Sequence, residues 1–296
     1  MYHSRKEFDS VIRFNGLWRS FIRNRIHVAT CSLAAVWTWS HLTGSKLLMS
    51  DLFIVPITML SIYQWNRVYD LNEDSVNSPN SVYHTSRNRN WIQHFCFISV
   101  LTVLIVSIFT GSVRGVLILT FVIFLGVLYS TPVFFFSENR LKNLTIVKNL
   151  TSALGWTLLV VFYTPIHAGS TLSSEHWVAA IMMFSAVWMV ELIWDIRDLK
   201  GDAIMGVQTI PVLLGVEVTR KCVLAINFCS AVILIGSIVN GLISTLWFFL
   251  LLNHLMVNIW VLNDDEMLLN RERSHLLVGL QTLLLFSLGF FAVYLT

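Results

Sequence analysis

The segment N-R-V-Y-D-L-N-E-D, from Asn66 to Asp74, and the later D-I-R-D-L-K-G-D, from Asp195 to Asp202, decide how the rest of the chain is read. In the first, Asn66, Asp70 and Asp74 recur every fourth residue; in the second, Asp195, Asp198 and Asp202 recur at i, i+3 and i+7. On a helix both spacings set three oxygen-bearing side chains on one face. Each segment follows an apolar run ending in tryptophan, Trp65 or Trp194, so each oxygen-rich face is expected where a membrane helix meets water. Two such clusters at matching helix ends read as one divided site for metal and phosphate.

The surrounding composition fits. Hydrophobic residues make up 55% of the 296 and charged residues 12%, with a mean hydropathy of +0.69. A soluble domain carries about 25% charged residues, so the expected class is all-α, a polytopic helical membrane bundle. The net charge of +3 is small, and the basic residues are sorted along the chain in a way that carries topology and gives no sign of a nucleic-acid partner. Cys31, Cys96, Cys222 and Cys229 all sit in apolar runs without CxxC spacing, and the nine histidines are dispersed, which leaves no zinc or redox pattern. The first apolar run follows some 25 polar and basic residues that include Glu7 and Asp9, a pattern expected neither of a cleavable signal nor of a transit peptide.

Residues 8 to 25 mix Phe8, Val11, Ile12, Phe14, Leu17, Trp18 and Phe21 with Arg13, Arg19, Arg23 and Arg25, a basic amphipathic segment suited to an anionic membrane surface. Residues 1–25 are therefore separated from a single transmembrane domain over 26–296. Apolar spans follow at 26–43, 47–65, 91–110, 113–136, 144–165, 176–194, 221–240, 242–262 and 275–295, each near the ~20 residues that cross a bilayer. Nine crossings put the termini on opposite sides. Eighteen of the twenty lysines and arginines then fall on the side of the N-terminus, with Lys46 and Arg114 on the other. The positive-inside rule makes the first side cytoplasmic, so Met1 and both Asp clusters are expected there and Thr296 opposite. The two clusters, each after a tryptophan and offset by about 129 residues, form a weak internal duplication of the kind that brackets sites in membrane proteins. The sequons at Asn143 and Asn149 are expected to face the cytoplasm and stay unmodified.

Taken together these features resemble the UbiA superfamily of intramembrane prenyltransferases, whose nine helices carry two Asp-rich motifs. The first, NxxxDxxxD, is matched at Asn66, Asp70 and Asp74; the second, DxxDxxxD, at Asp195, Asp198 and Asp202, with Thr209-Ile-Pro211 following. Y-S-T-P at Tyr129 to Pro132, R-L-K-N at Arg140 to Asn143 and V-K-N at Val147 to Asn149 extend the likeness, which spans residues 25 to 295. There are departures: Arg67 follows Asn66, residues 77–83 read N-S-P-N-S-V-Y, and Val133 stands where some members carry a phosphate-binding lysine. Lys142 and Lys148 become the better candidates for that role.

The resemblance implies an isoprenyl diphosphate donor, Mg²⁺ held by Asp70, Asp74, Asp195 and Asp198, a cavity opening to the cytoplasm, and a lipophilic acceptor that the sequence does not identify. Asp202 completes the catalytic set. Converging carboxylates repel one another by several kcal/mol at an effective dielectric of about 20, and Mg²⁺ favours carboxylate and phosphate oxygens together. Asn66, Arg67, Lys142, Lys148 and Asn149 are expected against the diphosphate, and Tyr129 and Trp194 against a developing carbocation. Glu191, a charge inside an apolar span one turn before Asp195, is a site candidate on that ground. The bland readings stand beside these: lysines at helix ends also anchor, belt aromatics are common at interfaces, and Asp264, Asp265 and Glu266 read as a solvated turn. A terpene cyclase of the same superfamily and a cation-coupled transporter remain the competing functions, although carboxylates at helix ends argue against a midplane transport site.

Overall fold

A backbone that leaves water must satisfy its own N–H and C=O groups within each segment, so the long apolar runs of this chain become helices. The structure is a computed structural model and describes residues 16–77, 79–132, 140–262 and 271–295. Its α-helical segments, in order, are α1 Gly16–Arg23, α2 Ile26–Leu42, α3 Asp51–Tyr69, α4 Leu71–Asn77, α5 Pro79–Arg87, α6 Arg89–Thr110, α7 Val113–Ser130, α8 Thr145–His167, α9 Ser174–Ile204, α10 Ile210–Leu214, α11 Val216–Val239, α12 Thr245–Leu262 and α13 Arg271–Leu295. A 3₁₀ turn, Leu141–Asn143, leads into α8, which contains a π-turn at Leu158–Phe162; α12 opens with a 3₁₀ stretch, Thr245–Leu250, and no strand occurs among the described residues. Residues 8–15 of the amphipathic segment and the acidic run 264–266 lie outside the described residues.

Helices stand at all nine expected spans. Seven of them, α6, α7, α8, α9, α11, α12 and α13, are long and apolar enough to cross a membrane. The other two fall short of that measure: α2 has 17 residues, and the last turns of α3 carry Gln64, Asn66 and Arg67. Two span ends also shift. The helix expected to stop at Trp194 runs on to Ile204 without a break. At 31 residues it is about 46 Å long, well beyond a hydrocarbon core of about 30 Å, so its polar end projects past the apolar layer. The span expected to reach residue 136 ends as a helix at Ser130, where Thr131 turns extended before Pro132.

The bundle closes into a ring because α13 packs along α2, where Thr38 Oγ1 donates to the Leu285 carbonyl across the seam. The α8 and α9 helices pack against each other, and half of the apolar stretch of α9 is buried, against about a quarter for α6, α7 and α11. Phe97, Leu101, Ile105 and Phe109 on α6, and Phe121 and Phe124 on α7, remain exposed at helical spacing. So continuous an apolar exterior is a lipid-facing surface.

At the end of the bundle remote from the Asp clusters, Asp51 and His167 are fully buried and joined by a 2.7 Å contact between His167 Nδ1 and Asp51 Oδ1. His167 Nε2 meets the Ser107 carbonyl at 3.1 Å, and the Tyr163 ring stacks on the imidazole. Gly111 makes the space for that ring: a Cβ there would stand 2.1 Å from His167 Cδ2. This polar knot ties the starts of α3 and α7 to the ends of α6 and α8.

Candidate active site

The first Asp cluster survives a break in its helix. Asp70 leaves the α-helical region, at φ −94° and ψ 11°, and so ends α3. Its N–H still donates to the Asn66 carbonyl at 3.0 Å, and the Asp74 N–H to the Asp70 carbonyl at 2.8 Å. That unbroken i to i−4 pattern keeps Asn66, Asp70 and Asp74 on one face, and all three line the same cavity. Ser130 Oγ, at the end of α7, donates to Asn66 Oδ1 at 3.1 Å and fixes its amide.

The second cluster lies on the unbroken α9 and faces α8. Lys148 Nζ donates to Asp195 Oδ1 at 2.6 Å while Asn149 Nδ2 donates to Oδ2 at 3.0 Å, so two consecutive residues of α8 grip one carboxylate. One turn further along, Ser152 Oγ donates to Glu191 Oε1 at 2.6 Å. Arg197 forms a fork on its neighbour Asp198, with Nε to Oδ1 at 3.0 Å and Nη2 on Oδ2. Its guanidinium also lies over the Trp194 ring, 5.2 Å from the centroid. Asp202 is buried, and its Oδ2 has no hydrogen-bond partner among the described residues.

Between the clusters lies a cavity of about 160 Å³. Six carboxylates reach it: Asp70, Asp74, Glu191, Asp195, Asp198 and Asp202. They share it with four cations, Arg25, Lys142, Lys148 and Arg197. Deeper, the wall turns aromatic and aliphatic with Tyr63, Tyr129, Trp156, Ile62 and Val122, and the Trp156 indole N–H donates to the Tyr63 hydroxyl at 2.9 Å. The chain supplies cations of its own to separate these carboxylates. Asp70 is paired with Lys142 at 2.7 Å and Arg140 at 3.1 Å, Asp195 with Lys148, and Asp198 with Arg197.

Of the residues singled out in the sequence, Asn66, Asp70, Asp74, Tyr129, Lys142, Lys148, Glu191, Trp194, Asp195, Asp198 and Asp202 come to this cavity, with Asn149 just behind Asp195. Arg67 does not. It is buried on another side of α3, where Nη1 donates to the Arg23 carbonyl at 2.8 Å and Nη2 meets His84 Nδ1 at 3.4 Å. Burial first, then Arg23 and Arg67, hold the His84 imidazole below the usual histidine range. The residues not singled out are Arg140, Arg197, Ser152, Tyr63 and Trp156. Arg140 had a visible signal in the R-L-K-N run; the others depend on how α3, α8 and α9 face one another.

Such a bundle, with acidic and basic groups crowded at the mouth of one cavity and aromatics below, defines an intramembrane enzyme that receives a polyanionic head on an apolar body. Residues 27–278 match the model of the UbiA prenyltransferase family. The chain belongs to that family. Among similar proteins, the digeranylgeranylglyceryl phosphate synthase of Sulfurisphaera tokodaii is 26% identical over 258 residues, 82% of this chain and 85% of that one. The synthase of the same name from Sulfolobus acidocaldarius is 28% identical over 253 residues, 81% and 86% of the two chains. The fold is also that of a UbiA homolog from Archaeoglobus fulgidus solved bound to DMAPP and Mg²⁺, with a TM-score of 0.69 at 16% identity over 93% of this chain and 99% of that one.

Proposed function

We propose that this protein transfers an isoprenyl group from an isoprenyl diphosphate to a lipophilic acceptor within the membrane, with Mg²⁺ as cofactor and residues 26–296 acting as one domain. The observation that carries the reading is the meeting of two Asp clusters across one cavity with Lys142 and Lys148 between them. The names of the two archaeal synthases and the donor and metal in the Archaeoglobus homolog support it.

The residues fit the metal. Asp202 keeps a buried oxygen without a partner among the described residues, and six cavity carboxylates outnumber four cavity cations. Among the described residues no three acidic side chains form a cage by themselves, and Mg²⁺ characteristically shares its coordination between a few carboxylates and substrate phosphates. Asp70, Asp74, Asp195 and Asp198 would hold it, and when bound it supplies positive charge against the leaving diphosphate.

The chain's own groups do the rest. Lys142, Arg140 and Lys148 now neutralise Asp70 and Asp195; with a donor in place the same cations serve its phosphate oxygens. As the allylic C–O bond breaks, its electron pair stays with the diphosphate, where fixed positive charge in a water-poor site stabilises it most. The rings of Tyr63, Tyr129, Trp156 and Trp194 line the cavity and would shelter the cation left behind. The acceptor's electron pair then closes the new bond, and its proton departs.

In this reading the N-terminus and the cavity mouth face the cytoplasm, which the distribution of lysine and arginine supports. Incubating the protein in membranes with farnesyl, geranylgeranyl and longer diphosphates plus Mg²⁺, followed by analysis of the lipids, tests the proposal. A new lipid that joins the donor chain to an acceptor supports it. Donor consumed into a chain-only hydrocarbon or alcohol would instead mark a cyclase, and no Mg²⁺-dependent consumption of any donor would overturn the reading.

A further inference from the structure

A second cavity, of about 100 Å³, lies between α2, α9, α11, α12 and α13. It shares Tyr63, Trp156, Glu191 and Trp194 with the first cavity and is otherwise mainly aliphatic, with Met182, Met183 and Leu285 prominent. None of the lysines or arginines of the first cavity reaches it. Its body therefore suits an apolar molecule, and its wall offers no lysine or arginine to a phosphate.

Among the described residues, the polar groups of this second wall are accounted for except those of His27 and the Trp39 indole. Gln281 Nε2 donates to Asn253 Oδ1 at 2.8 Å. Both nitrogens of His254 are engaged, with the Leu250 carbonyl and Ser230 Oγ, each at 3.0 Å. His27, on the first turn of α2, is 94% buried, and neither of its ring nitrogens makes a hydrogen bond of ordinary geometry with the described residues. The Phe21 carbonyl faces the ring as a backbone hydrogen-bond acceptor, outside ordinary geometry. It favours the N–H on the nitrogen nearest to it and leaves the other nitrogen bare, because a neutral imidazole carries one donor and one acceptor. A buried bare acceptor costs free energy until a donor reaches it. Among the described residues the indole N–H of Trp39 also lacks a partner, but so do those of Trp247 and Trp260 in the core, and Trp39 lies about 18 Å further along the same helix.

The unmet group is linked to the wall shared by the two cavities through two ring contacts. The His27 ring meets His275 at 5.0 Å between centroids, and His275 meets Trp194 at 6.0 Å. Trp194 is one of the four residues common to both cavities. A hydrocarbon chain filling the second cavity would leave His27 unsatisfied, whereas a lipophile with a hydroxyl satisfies it and places its oxygen near the junction.

We propose that the second cavity is the acceptor's site, that the acceptor it takes is a neutral lipophile bearing a hydroxyl, and that His27 is the positioning residue that receives the O–H. The proposal rests on the prenyl-transfer reading for the word acceptor, but the site can be probed without turnover. The purified protein in lipid nanodiscs is titrated calorimetrically with para-hexylphenol and with para-hexyltoluene, which replaces the hydroxyl by a methyl group of similar size. The phenol is expected to bind about tenfold more tightly, the scale of one neutral hydrogen bond to a buried partner. His27→Leu should erase that advantage, and His27→Gln, whose amide oxygen still accepts, should keep part of it. No preference in the unsubstituted protein, or a preference undiminished in His27→Leu, would overturn the assignment. Binding of geranylgeranyl diphosphate with Mg²⁺, read on the same samples, should be unchanged by either His27 variant and lost in Asp70→Asn. If the unsubstituted protein fails to bind that diphosphate, it is the prenyl-transfer reading that falls, and the phenol comparison still decides the cavity.

Discussion

Lys148 Nζ stands 2.6 Å from Asp195 Oδ1, with both side chains about nine-tenths or more buried, so a cation from α8 neutralises a carboxylate of the second cluster. The same lysine is thus a structural partner within the bundle and a phosphate ligand in the proposed reaction. A site that exchanges partners in this way can stay folded with six carboxylates around one cavity.

Lys148→Ala tests both roles. It leaves the buried Asp195 carboxylate with Asn149 as its remaining hydrogen-bond donor among the described residues, and stranding a buried charge costs about 3 kcal/mol. Thermal unfolding in detergent should therefore drop sharply without Mg²⁺ and recover in part with Mg²⁺ and a donor diphosphate. The KM for the donor should rise more than kcat falls. Unchanged donor kinetics would leave the lysine an anchor alone.

Gly111→Ala should damage the far end of the bundle without touching the cavity. Its Cβ would stand 2.1 Å from the His167 ring, which is held in turn by Asp51 at 2.7 Å. Overpacking of this kind costs about 1–3 kcal/mol. Gly236→Ala on α11 meets no heavy atom within 4 Å, so it should be neutral or slightly stabilising. Equal melting temperatures for the two variants would mean that the knot yields freely.

His84 carries a pH dependence with a definite sign. Its pKa is lowered in the folded protein, by burial first and then by Arg23 and Arg67. The segment when detached binds a proton more readily than when docked, so the contribution of the contact is complete above about pH 6.5 and is lost as pH falls through the lowered folded value. Protonation also removes the bare Nδ1 that Arg67 Nη2 approaches at 3.4 Å. Amide exchange in Pro79–Arg87, corrected for its intrinsic rate, should quicken between about pH 7.5 and about pH 5. In His84→Gln that acceleration should disappear.

How far the site was legible in the sequence follows from geometry. Asn66, Asp70 and Asp74 could be read as one face because a four-residue period survives even the break at Asp70. Arg67 was misleading because adjacency in sequence is a turn of about 100° around a helix, which carries it off the face of Asn66. The second cluster was placed at the end of an apolar span, yet the helix continues to Ile204, since hydropathy marks where lipid stops and not where hydrogen bonding along the backbone does. Tyr63, Ser152 and Trp156 are unremarkable residues of apolar runs until α3 and α8 are set face to face. Arg197 was counted only for topology because nothing local says that its long side chain folds back on Asp198.

The joint action of the two clusters is the most exposed claim. Asp70 and Asp198 lie on different helices, line one cavity, and are each held by their own cations, Lys142 with Arg140 and Arg197. If both carboxylates serve one metal-diphosphate unit, Asp70→Asn and Asp198→Asn should each lower turnover by about 100-fold or more, the scale of removing a group that stabilises developing charge. The double variant should then be little worse than either single one, because residues that act as a unit are strongly non-additive. Both variants should fold: an asparagine keeps an acceptor for the cation it faces, and removing one of six neighbouring carboxylates relieves repulsion among the rest. Turnover is measured in detergent with Mg²⁺ in fixed excess, beside a melting curve for each variant. Losses that multiply would mean two independent sites, and near-normal activity in either single variant would remove the shared metal altogether.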